Sequence, residues 1–537
     1  MSPSWASSEP WAAFGADLHL DLGTGRAGAG GRAAYGTRTA LIDAVRDAIR
    51  TGRLTPGTRL PSSRSLAADL QLARNTVAGA YAALVAEGWL AARQGSGTRV
   101  AHRAQPAPPP RGPRAGPRTR PQLPGQERWR RRPVHDLRTG TPDVSAFPRS
   151  AWLASARRAL TAAPADAFAH GDHRGTPQLR RALADYLARA RGVRADPERI
   201  VICAGFAQGL ALLARVLDGD VAVEEYGLSF HRDLLEAPGA RTRPLPLDSH
   251  GARTICLDAR GPGDSAASVT GSTGDEFSEA TGGRAAGADA SGAGSPCRPA
   301  DADIRAVLLT PGHQYPTGVP LHPDRRAAIV TWASRTGGLV LEDDYDGEFR
   351  YDRQPVGALQ GLDPDRVAYL GTSSKALAPA LRLAWMVLPD HLVDPVLAAK
   401  TPAEWTTGAL DQLTLADFLE RGAYDRHVRA MRTRYRNRRD RLVSTLAARV
   451  PRVRATGIAA GLHAVLELPP DAQEAAVLRA AHRHGVALDP LNSFRHPQAP
   501  PLTTPRPALV VGYGAPPEHA YPAALNALCD ALADGGA

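Results

Sequence analysis

The chain has 537 residues, of which 43% are hydrophobic, and a formal net charge of +11. Because one domain usually takes roughly 100–200 residues, more than one domain is expected. No apolar run reaches the roughly 18 residues of a membrane span, and the N-terminus lacks a signal-peptide pattern, which predicts a cytoplasmic protein. Four scattered cysteines without Cys-x-x-Cys spacing predict reduced thiols, and neither a metal site nor a disulfide framework.

The positive charge is concentrated in the first quarter of the chain. Residues 101–133 hold nine arginines and one acid, a net charge of +8, and residues 36–100 hold nine arginines and four acids, a net charge of +5. The rest of the chain is therefore at −2. A basic end on a near-neutral body is typical of a nucleic-acid-binding module attached to a second domain.

After an N-terminal tail at 1–35, residues 36–100 predict a winged helix-turn-helix. Helices are expected over 39–51, over 62–70 with Ser62 as the cap, and over 74–87 after a three-residue break. Residues 89–100 then indicate a hairpin that turns at Gly95-Ser-Gly97. Two helices around a tight turn, followed by a hairpin, place the second of those helices in the DNA major groove.

The start of that second helix supplies the candidate DNA contacts. Arg74, Asn75 and Thr76 are its first residues, so they can reach base edges or phosphates. Gly95 and Gly97 in the wing let the backbone approach DNA closely. The alternative is a small basic module that binds another protein.

Two segments of biased composition divide the remainder. Residues 101–133 carry nine prolines and form an extended Pro/Arg-rich linker. Residues 259–302 consist mostly of small and polar residues and predict a disordered insertion. Elsewhere in residues 134–537, short apolar strands alternate with helices, which predicts an α/β domain with a mostly parallel sheet covered on both faces.

The basic residues are sixty-three arginines and only two lysines, Lys375 and Lys400. Lysine, unlike arginine, can lose its proton, attack a carbonyl and form a Schiff base. Lys375 follows an apolar strand and small hydroxyl residues, and Arg382 comes seven positions later. Lys400 has no such surroundings and is expected on the surface.

Three features of the large domain suit one cofactor, pyridoxal phosphate (PLP). Asp343 and Tyr345 put a carboxylate and a phenol at the end of a strand, where parallel sheets bind ligands. The turn at 204–208 opens a helix, and helix-start amides bind phosphate. The Lys375 amine suits the aldehyde of PLP, the carboxylate suits its ring nitrogen, and the helix-start amides suit its phosphate. Each feature has another interpretation when it is taken alone. The acidic run would then be a solvated loop or a metal site, and Arg382 would be a surface charge.

Several motifs of the N-terminal module resemble the GntR-type winged helix. They are Leu60-Pro-Ser-Ser-Arg64, Arg74-Asn-Thr-Val, Glu87-Gly-Trp-Leu and Gly95-Ser-Gly-Thr. The resemblance implies DNA contacts from Arg64, Arg74, Thr76 and the wing at Gly95. Ala73 stands where this family has Ser or Thr, so a helix cap worth about 1 kcal/mol is missing.

Residues 134–537 resemble the fold-type I aminotransferase domain through Thr310-Pro-Gly-His-Gln-Tyr-Pro-Thr-Gly, the acidic run at 342–346 and the context of Lys375. A GntR-type winged helix, a linker and this domain are together similar to MocR/GabR-type transcriptional regulators. The resemblance implies a Schiff base between Lys375 and PLP, Asp343 on the ring nitrogen and Tyr345 on the ring oxygen. It places around the phosphate Phe206, Ala207, Thr372, Ser374 and Arg382. Tyr315 replaces the asparagine of plain aminotransferases beside the cofactor.

The resemblance also implies a homodimer in the cytoplasm, associated with the nucleoid, in which each DNA-binding module packs on the partner's large domain. Leu228 stands where a ring-stacking aromatic is usual, and residues 508–513 lack the arginine that clamps a substrate carboxylate, for which Arg495 is a weak substitute. The expected function is a regulator that senses PLP, an amine or an amino acid, with at most weak transaminase activity. The alternative is a working aminotransferase with an accessory DNA-binding domain.

Overall fold

The computed structural model describes residues 37–93, 97–102, 133–257, 304–351, 356–400, 407–502 and 507–537. The chain divides into two compact units, Met1–Gln122 and Leu123–Ala537. The N-terminal tail, most of the linker, Gly95 and the 259–302 insertion, all subjects of predictions above, lie outside the described residues.

The described part of the first unit contains three helices and a hairpin, as the sequence predicted. They are α1 (Thr37–Arg50), α2 (Ser63–Asp69), α3 (Arg74–Ala86), β1 (Leu90–Arg93) and β2 (Gly97–Val100). The hairpin is antiparallel, with Leu90 opposite Val100. Apolar side chains from all three helices and both strands form one buried core, which includes Leu41, Val77 and Leu84. The spacing of these apolar residues therefore fixes the helix packing of the winged helix.

The two helices of the DNA-binding motif differ in their caps. The Ser62 hydroxyl accepts a hydrogen bond from the Ser65 backbone N–H at 3.1 Å, whereas Ala73, which precedes α3, makes no side-chain cap bond. In the full-length chain, we expect Ala73→Ser to slow amide hydrogen exchange in the first turn of α3, which raises the free energy of protection there by about 1 kcal/mol. Ser62→Ala should speed exchange in α2 by a similar amount. Unchanged exchange in α3 of the serine variant would contradict this account of the missing cap.

The second unit contains the helices α4 (Arg149–Ala162), α5 (Pro177–Arg191), α6 (Phe206–Val216), α7 (Ser229–Glu236), α8 (Pro323–Thr336), α9 (Asp390–Lys400), α10 (Ala409–Glu420), α11 (Ala423–Arg449), α12 (Glu474–Arg483) and α13 (Tyr521–Asp534). Its strands are β3 (His135–Asp136), β4 (Ile200–Cys203), β5 (Asp220–Glu224), β6 (Thr242–Leu245), β7 (Leu247–Asp248), β8 (Gly251–Ala252), β9 (Ile304–Leu309), β10 (Leu339–Asp344), β11 (Val367–Thr372), β12 (Ala384–Val387), β13 (Arg454–Thr456), β14 (His463–Glu467), β15 (Val486–Ala487), β16 (Asp489–Pro490) and β17 (Ala508–Gly512).

A seven-stranded sheet forms the centre of this unit, in the order β4-β12-β11-β10-β9-β5-β6. Every pairing is parallel except the two made by β12, which is antiparallel to both neighbours. Every residue of β10 and β11 is buried, because side chains on both faces meet a core. The mostly parallel sheet predicted from the sequence is thereby confirmed.

The strand directions bring three loops to one edge of the sheet. β10 and β11 are parallel, with Asp343 opposite Leu370, so the residues after both strands leave on the same side. β12 is antiparallel to both β11 and β4, so β4 runs in the same direction as β11. Asp343–Tyr345, Thr372–Lys375 and the start of α6 therefore share the carboxyl edge, where ligands bind such sheets.

A four-stranded antiparallel sheet, β13-β14-β17-β16, follows the long helix α11.

Among the described residues, no helix is long and apolar enough to cross a membrane. Cys203 and Cys529 are buried thiols, but Cys256 is disulfide-bonded, so the prediction of reduced thiols is wrong for this residue. Disulfide pairing depends on distance in the folded chain, which cysteine spacing does not reveal.

The prediction that Lys400 lies on the surface is wrong. It ends α9 with 1% of its surface exposed, and its Nζ donates to the backbone oxygens of His173 at 2.7 Å and Ile202 at 2.8 Å. A buried ammonium is tolerated when its donors are satisfied. The two carbonyls lie some two hundred residues earlier in the chain, so nothing local in the sequence indicated them.

Candidate cofactor and DNA-binding sites

Because side chains alternate along a strand, Glu342 and Asp344 of β10 lie on one face and Asp343 lies on the other. Glu342 accepts hydrogen bonds from the backbone N–H groups of Leu359 at 2.7 Å and Gln360 at 2.9 Å. Asp344 accepts two from Arg191, at 2.7 and 2.9 Å. Both carboxylates are therefore fully engaged in holding the fold together.

Asp343 is the carboxylate that remains for a ligand. Its side chain is 5% exposed, and its Oδ1 has no hydrogen-bond partner among the described residues. Burial raises the pKa of Asp343 well above its usual value, and the charge of Lys375 opposes this shift. A buried carboxylate oxygen without a partner is costly unless a bound group supplies a donor.

Lys375 follows β11 and lies beside a loop from the start of the unit. Its Nζ donates to the backbone oxygen of Gly140 at 2.6 Å. Burial lowers the pKa of His231 to about 3, with a smaller contribution from the positive charge of Lys375, so this imidazole is neutral at physiological pH. The amine therefore contacts Gly140, and its charge acts on both Asp343 and His231.

Tyr345 is held by a histidine–aspartate pair. Its hydroxyl donates to the backbone oxygen of His313 at 3.1 Å and lies 3.0 Å from His313 Nδ1, which is 2.9 Å from Asp346 Oδ2. Burial raises the pKa of Tyr345 well above its usual value, so the phenol remains a donor at neutral pH. His313, Asp346 and His463 have potential metal-ligand atoms within 4.8 Å of one another, but hydrogen bonds to each other and to Pro316 already engage them.

The start of α6 and Arg382 form a seat for an anion. Gly205 caps the helix with φ +114°, a conformation that favours glycine, and the Arg382 guanidinium lies against it, 2.7–2.8 Å from where a Cβ would be. Thr372 donates its hydroxyl to that of Ser374 at 2.9 Å and accepts from the Ser374 backbone N–H at 3.1 Å. Helix-start amides, beginning at Phe206 and Ala207, a guanidinium and hydroxyls are the donors that bind phosphate.

Tyr315 connects this site to an apolar cluster. Its hydroxyl bonds to that of Thr139, the residue next to Gly140. Its ring meets the Tyr345 ring edge-on at 5.7 Å and the Phe494 ring at 5.6 Å. Tyr315 is therefore linked to Lys375 through Thr139 and its neighbour Gly140.

Arg495 does not offer a free guanidinium. It is 2.8 Å from Glu225 Oε1 through Nε and 2.7 Å through Nη2, and it also donates to the Pro500 carbonyl. The suggestion that Arg495 replaces the missing carboxylate clamp is not supported by this geometry, because Glu225 already neutralises it. Glu225 precedes it by 270 positions, so sequence patterns gave no sign of the pair.

The candidate DNA contacts lie on the surface of the first unit. Arg64, Arg74 and Asn75 are exposed and Thr76 is half-buried at the start of α3. Gly97 opens β2 with φ +80°, in the left-handed region that favours glycine. Among the described residues, neither Arg64 nor Arg74 forms an ion pair with an acid. Their charges are therefore available to phosphates or base edges.

Comparisons with known proteins agree with both units. Residues 37–100 match the family of bacterial regulatory proteins, gntR family, and residues 133–260 and 296–502 match aminotransferase class I and II. The chain is 31% identical to the probable rhizopine catabolism regulatory protein MocR of Rhizobium meliloti, over 88% of this chain and 89% of that protein. The chain belongs to the MocR/GabR-type transcriptional regulators.

Further relatives agree with this MocR-type assignment. The HTH-type pyridoxine biosynthesis transcriptional regulator PdxR of Corynebacterium glutamicum is 31% identical over 80% of this chain and 82% of its own length. An archaeal alanine:glyoxylate aminotransferase has a TM-score of 0.61 at 23% identity, covering 76% of this chain and 93% of that one, which shows the fold alone. This MocR-type protein is therefore a DNA-binding transcriptional regulator with an aminotransferase-like domain.

Several residues near the site of this MocR-type regulator were missed by sequence reasoning. They are Thr139 and Gly140 beside Lys375, the His313–Asp346 pair behind Tyr345, and His231. The His231 ring lies 4.7 Å from the Phe206 ring. The only signal was the departure at Leu228, three residues earlier, which left an aromatic position unfilled.

Proposed function

We propose that this regulator binds PLP at Lys375 and converts the state of that site into a change in DNA binding. The observation that carries the proposal is the buried Asp343 Oδ1, which lacks a partner among the described residues and lies at the same sheet edge as Lys375. The protonated ring nitrogen of PLP is a donor of the kind this oxygen requires. Bound PLP supplies an aldehyde that combines reversibly with primary amines.

The proposed roles follow from position. Lys375 holds the aldehyde carbon, Asp343 the ring nitrogen and Tyr345 the ring oxygen, with Tyr315 beside it. The phosphate takes donors from Arg382, from the hydroxyls of Thr372 and Ser374, and from the amides of Phe206 and Ala207. In the first unit, Arg64, Arg74, Asn75, Thr76, Gly95 and Gly97 contact DNA.

The effector is PLP itself or an amine that reaches it. The name of the relative PdxR, a pyridoxine biosynthesis regulator, supports PLP as the effector. The reversible combination of a PLP aldehyde with primary amines, at the half-buried Lys375, supports an amine. The regulator acts in the cytoplasm at the nucleoid, as a homodimer that presents two winged helices to an operator. Each winged helix packs on the partner's large domain, and the effector binds two such arrangements with different affinity.

The second candidate function is a working aminotransferase with an accessory DNA-binding domain. The intact set of Lys375, Asp343, Tyr345 and Arg382 favours it, whereas the neutralised Arg495 argues for at most weak transamination. Turnover of amino-donor and keto-acid pairs by the PLP-loaded protein separates the two. The regulator predicts none at ordinary enzyme rates, about 1–1000 per second. Sustained turnover in that range would establish the enzyme instead.

Asp343→Asn tests the assignment of the ring-nitrogen carboxylate. Burial raises the pKa of Asp343, so the folded cofactor-free protein loses stability as pH rises above about 4 through the folded pKa. The amide does not titrate, so at pH 8 the cofactor-free variant should unfold with a higher free energy than the unsubstituted protein. It should bind PLP roughly 10–100-fold more weakly, because a charge-assisted hydrogen bond is lost.

Asp344→Asn is the matched control on the same strand. Because it breaks the buried pair with Arg191, it should lower the free energy of unfolding by about 3–5 kcal/mol. Denaturant unfolding and PLP titration of both variants give these quantities. If Asp343→Asn destabilises the cofactor-free protein and leaves PLP affinity unchanged, another group holds the ring nitrogen.

A further inference from the structure

The long helix α11 is strongly basic, although the domain to which it belongs is not. Its 27 residues include nine arginines and two aspartates, a net charge of +7. Outside residues 36–133, by contrast, the whole chain carries only −2. The positive charge of residues 134–537 is therefore concentrated on this helix, and the remainder of that domain carries a net negative charge.

Some of these arginines hold the helix to its own unit. Arg438 is 2% exposed, and its Nη2 donates to Asp143 at 2.8 Å and to Glu518 at 2.9 Å. At the end of the helix, Arg449 donates to Asp530 at 2.6 Å. Acids of the same fold therefore neutralise these two charges, and neither needs a partner outside the protein.

Four further arginines form a row along α11, which we call the arginine stripe: Arg429, Arg432, Arg436 and Arg439. Their spacing of three, four and three positions places them on one side of the helix, over roughly 15 Å at a rise of about 1.5 Å per residue. The first three are exposed, and Arg439 is half-buried. The arginine stripe therefore lines one solvent-facing side of the helix.

The arginine stripe has little compensating charge. Among the described residues, neither Arg429 nor Arg439 forms an ion pair. Arg432 donates to a backbone oxygen at 2.9 Å, and Arg436 lies 3.9 Å from Asp440, at the limit of an ion pair. Like charges three or four positions apart repel each other and destabilise a helix. The repeated positive charge of the stripe therefore costs stability rather than supplying it.

We propose that the arginine stripe contacts the phosphates of the DNA that the first unit binds. Guanidinium groups form charge-assisted and often bidentate hydrogen bonds with phosphate. One strand of duplex DNA carries a phosphate about every 3.4 Å of helix axis, so a stripe of about 15 Å has several of them within reach. Because both units belong to one chain, DNA held by the winged helix is at a high effective concentration for the second unit.

The proposal extends the DNA-binding surface of this regulator beyond the winged helix. It rests on DNA binding by the first unit and does not depend on PLP. Phosphate contacts carry no sequence information, so the arginine stripe adds affinity and leaves the choice of sequence to the winged helix.

A double variant of the arginine stripe tests the proposal in the full-length protein without PLP. Arg429→Gln combined with Arg436→Gln removes two charges and keeps good helix formers. The probe is a long duplex of mixed sequence, titrated at salt concentrations from about 50 to 200 mM. We expect the plot of log affinity against log salt to become shallower by about 2, and binding at the lowest salt to weaken roughly tenfold. An unchanged slope would overturn the proposal.

A matched control removes two charges from paired arginines near the ends of the same helix. Arg421 donates to Asp417 at 3.0 Å, and Arg449 to Asp530 at 2.6 Å. Arg421→Gln combined with Arg449→Gln should therefore leave the salt dependence unchanged. If this control loses as much of the slope as the stripe variant, the effect comes from net charge alone and the stripe makes no contact.

Two further readouts complete the test. Sedimentation of the stripe variant should give the same subunit number as the unsubstituted protein. A changed subunit number would place the arginine stripe in an interface between copies of the chain, and would refute the DNA contact. Visible absorbance after addition of PLP should also be unchanged in the stripe variant. Loss of PLP binding by the unsubstituted protein would refute the proposed function and leave the salt dependence of DNA binding as it is.

Discussion

Lys375→Ala is expected to abolish the visible absorbance of protein-bound PLP and the response of DNA binding to PLP, while the cofactor-free protein keeps its affinity for operator DNA. The reason is chemical: alanine has no amine to combine with the aldehyde, and Lys375 lies in a different compact unit from the winged helix. Absorbance spectroscopy and borohydride reduction followed by peptide mass mapping measure the first effect. Operator titrations measure the second.

The scarcity of lysine supplies unusually clean controls. Lys375→Arg should behave like the alanine variant, because a guanidinium stays charged and forms no Schiff base. Lys400→Met should keep the absorbance but lose about 1–3 kcal/mol of stability, because the carbonyls of His173 and Ile202 lose their donor. Borohydride should label the peptide of Lys375 and not that of Lys400. A bound-PLP absorbance that survives in Lys375→Ala would show that the cofactor assignment is wrong.

Arg74→Ala is expected to weaken specific operator binding by roughly 5–150-fold, or about 1–3 kcal/mol, while the visible absorbance of bound PLP persists. Arg74 is the first residue of α3 and is exposed, so its loss removes a DNA contact without disturbing the core. Titrations with operator and with unrelated DNA at several salt concentrations separate a base contact from a phosphate contact.

A second arginine of the same unit serves as the control for Arg74. Arg46 is paired with Asp43 at 2.6 Å and with Glu87 at 2.8 Å, so its charge is used within the fold. Arg46→Ala should change operator affinity little. If Arg46→Ala loses specific binding and Arg74→Ala does not, the start of α3 is not the element that reads the operator.

The sequence predicted the architecture well because local patterns determine it. Apolar periodicity located α1, α2 and α3, and alternating strands and helices gave the parallel sheet. The strand-end rule then brought Asp343 and Lys375 to one edge. Each of these predictions depends on residues close together in the chain.

Features that depend on distant partners were not predictable. Lys400 is buried because carbonyls from two earlier segments receive its ammonium, and Arg495 is neutralised by Glu225 across 270 positions. Only the resemblance to aminotransferases assigned Asp343, among its acidic neighbours, to the ring nitrogen of PLP. The structure gives the physical difference: Asp344 has Arg191, whereas an oxygen of Asp343 has no partner among the described residues.

The most direct test compares the operator affinity of the full-length protein without PLP, with PLP, and with PLP plus a primary amine. Two sites that communicate through a change in arrangement typically differ by about 1–3 kcal/mol in coupling, so dissociation constants should differ by about 5–150-fold between states. The same titrations on Lys375→Ala should give one value in all three conditions. Identical operator affinity of the unsubstituted protein in every condition would contradict the claim that Lys375 reports to the DNA-binding unit.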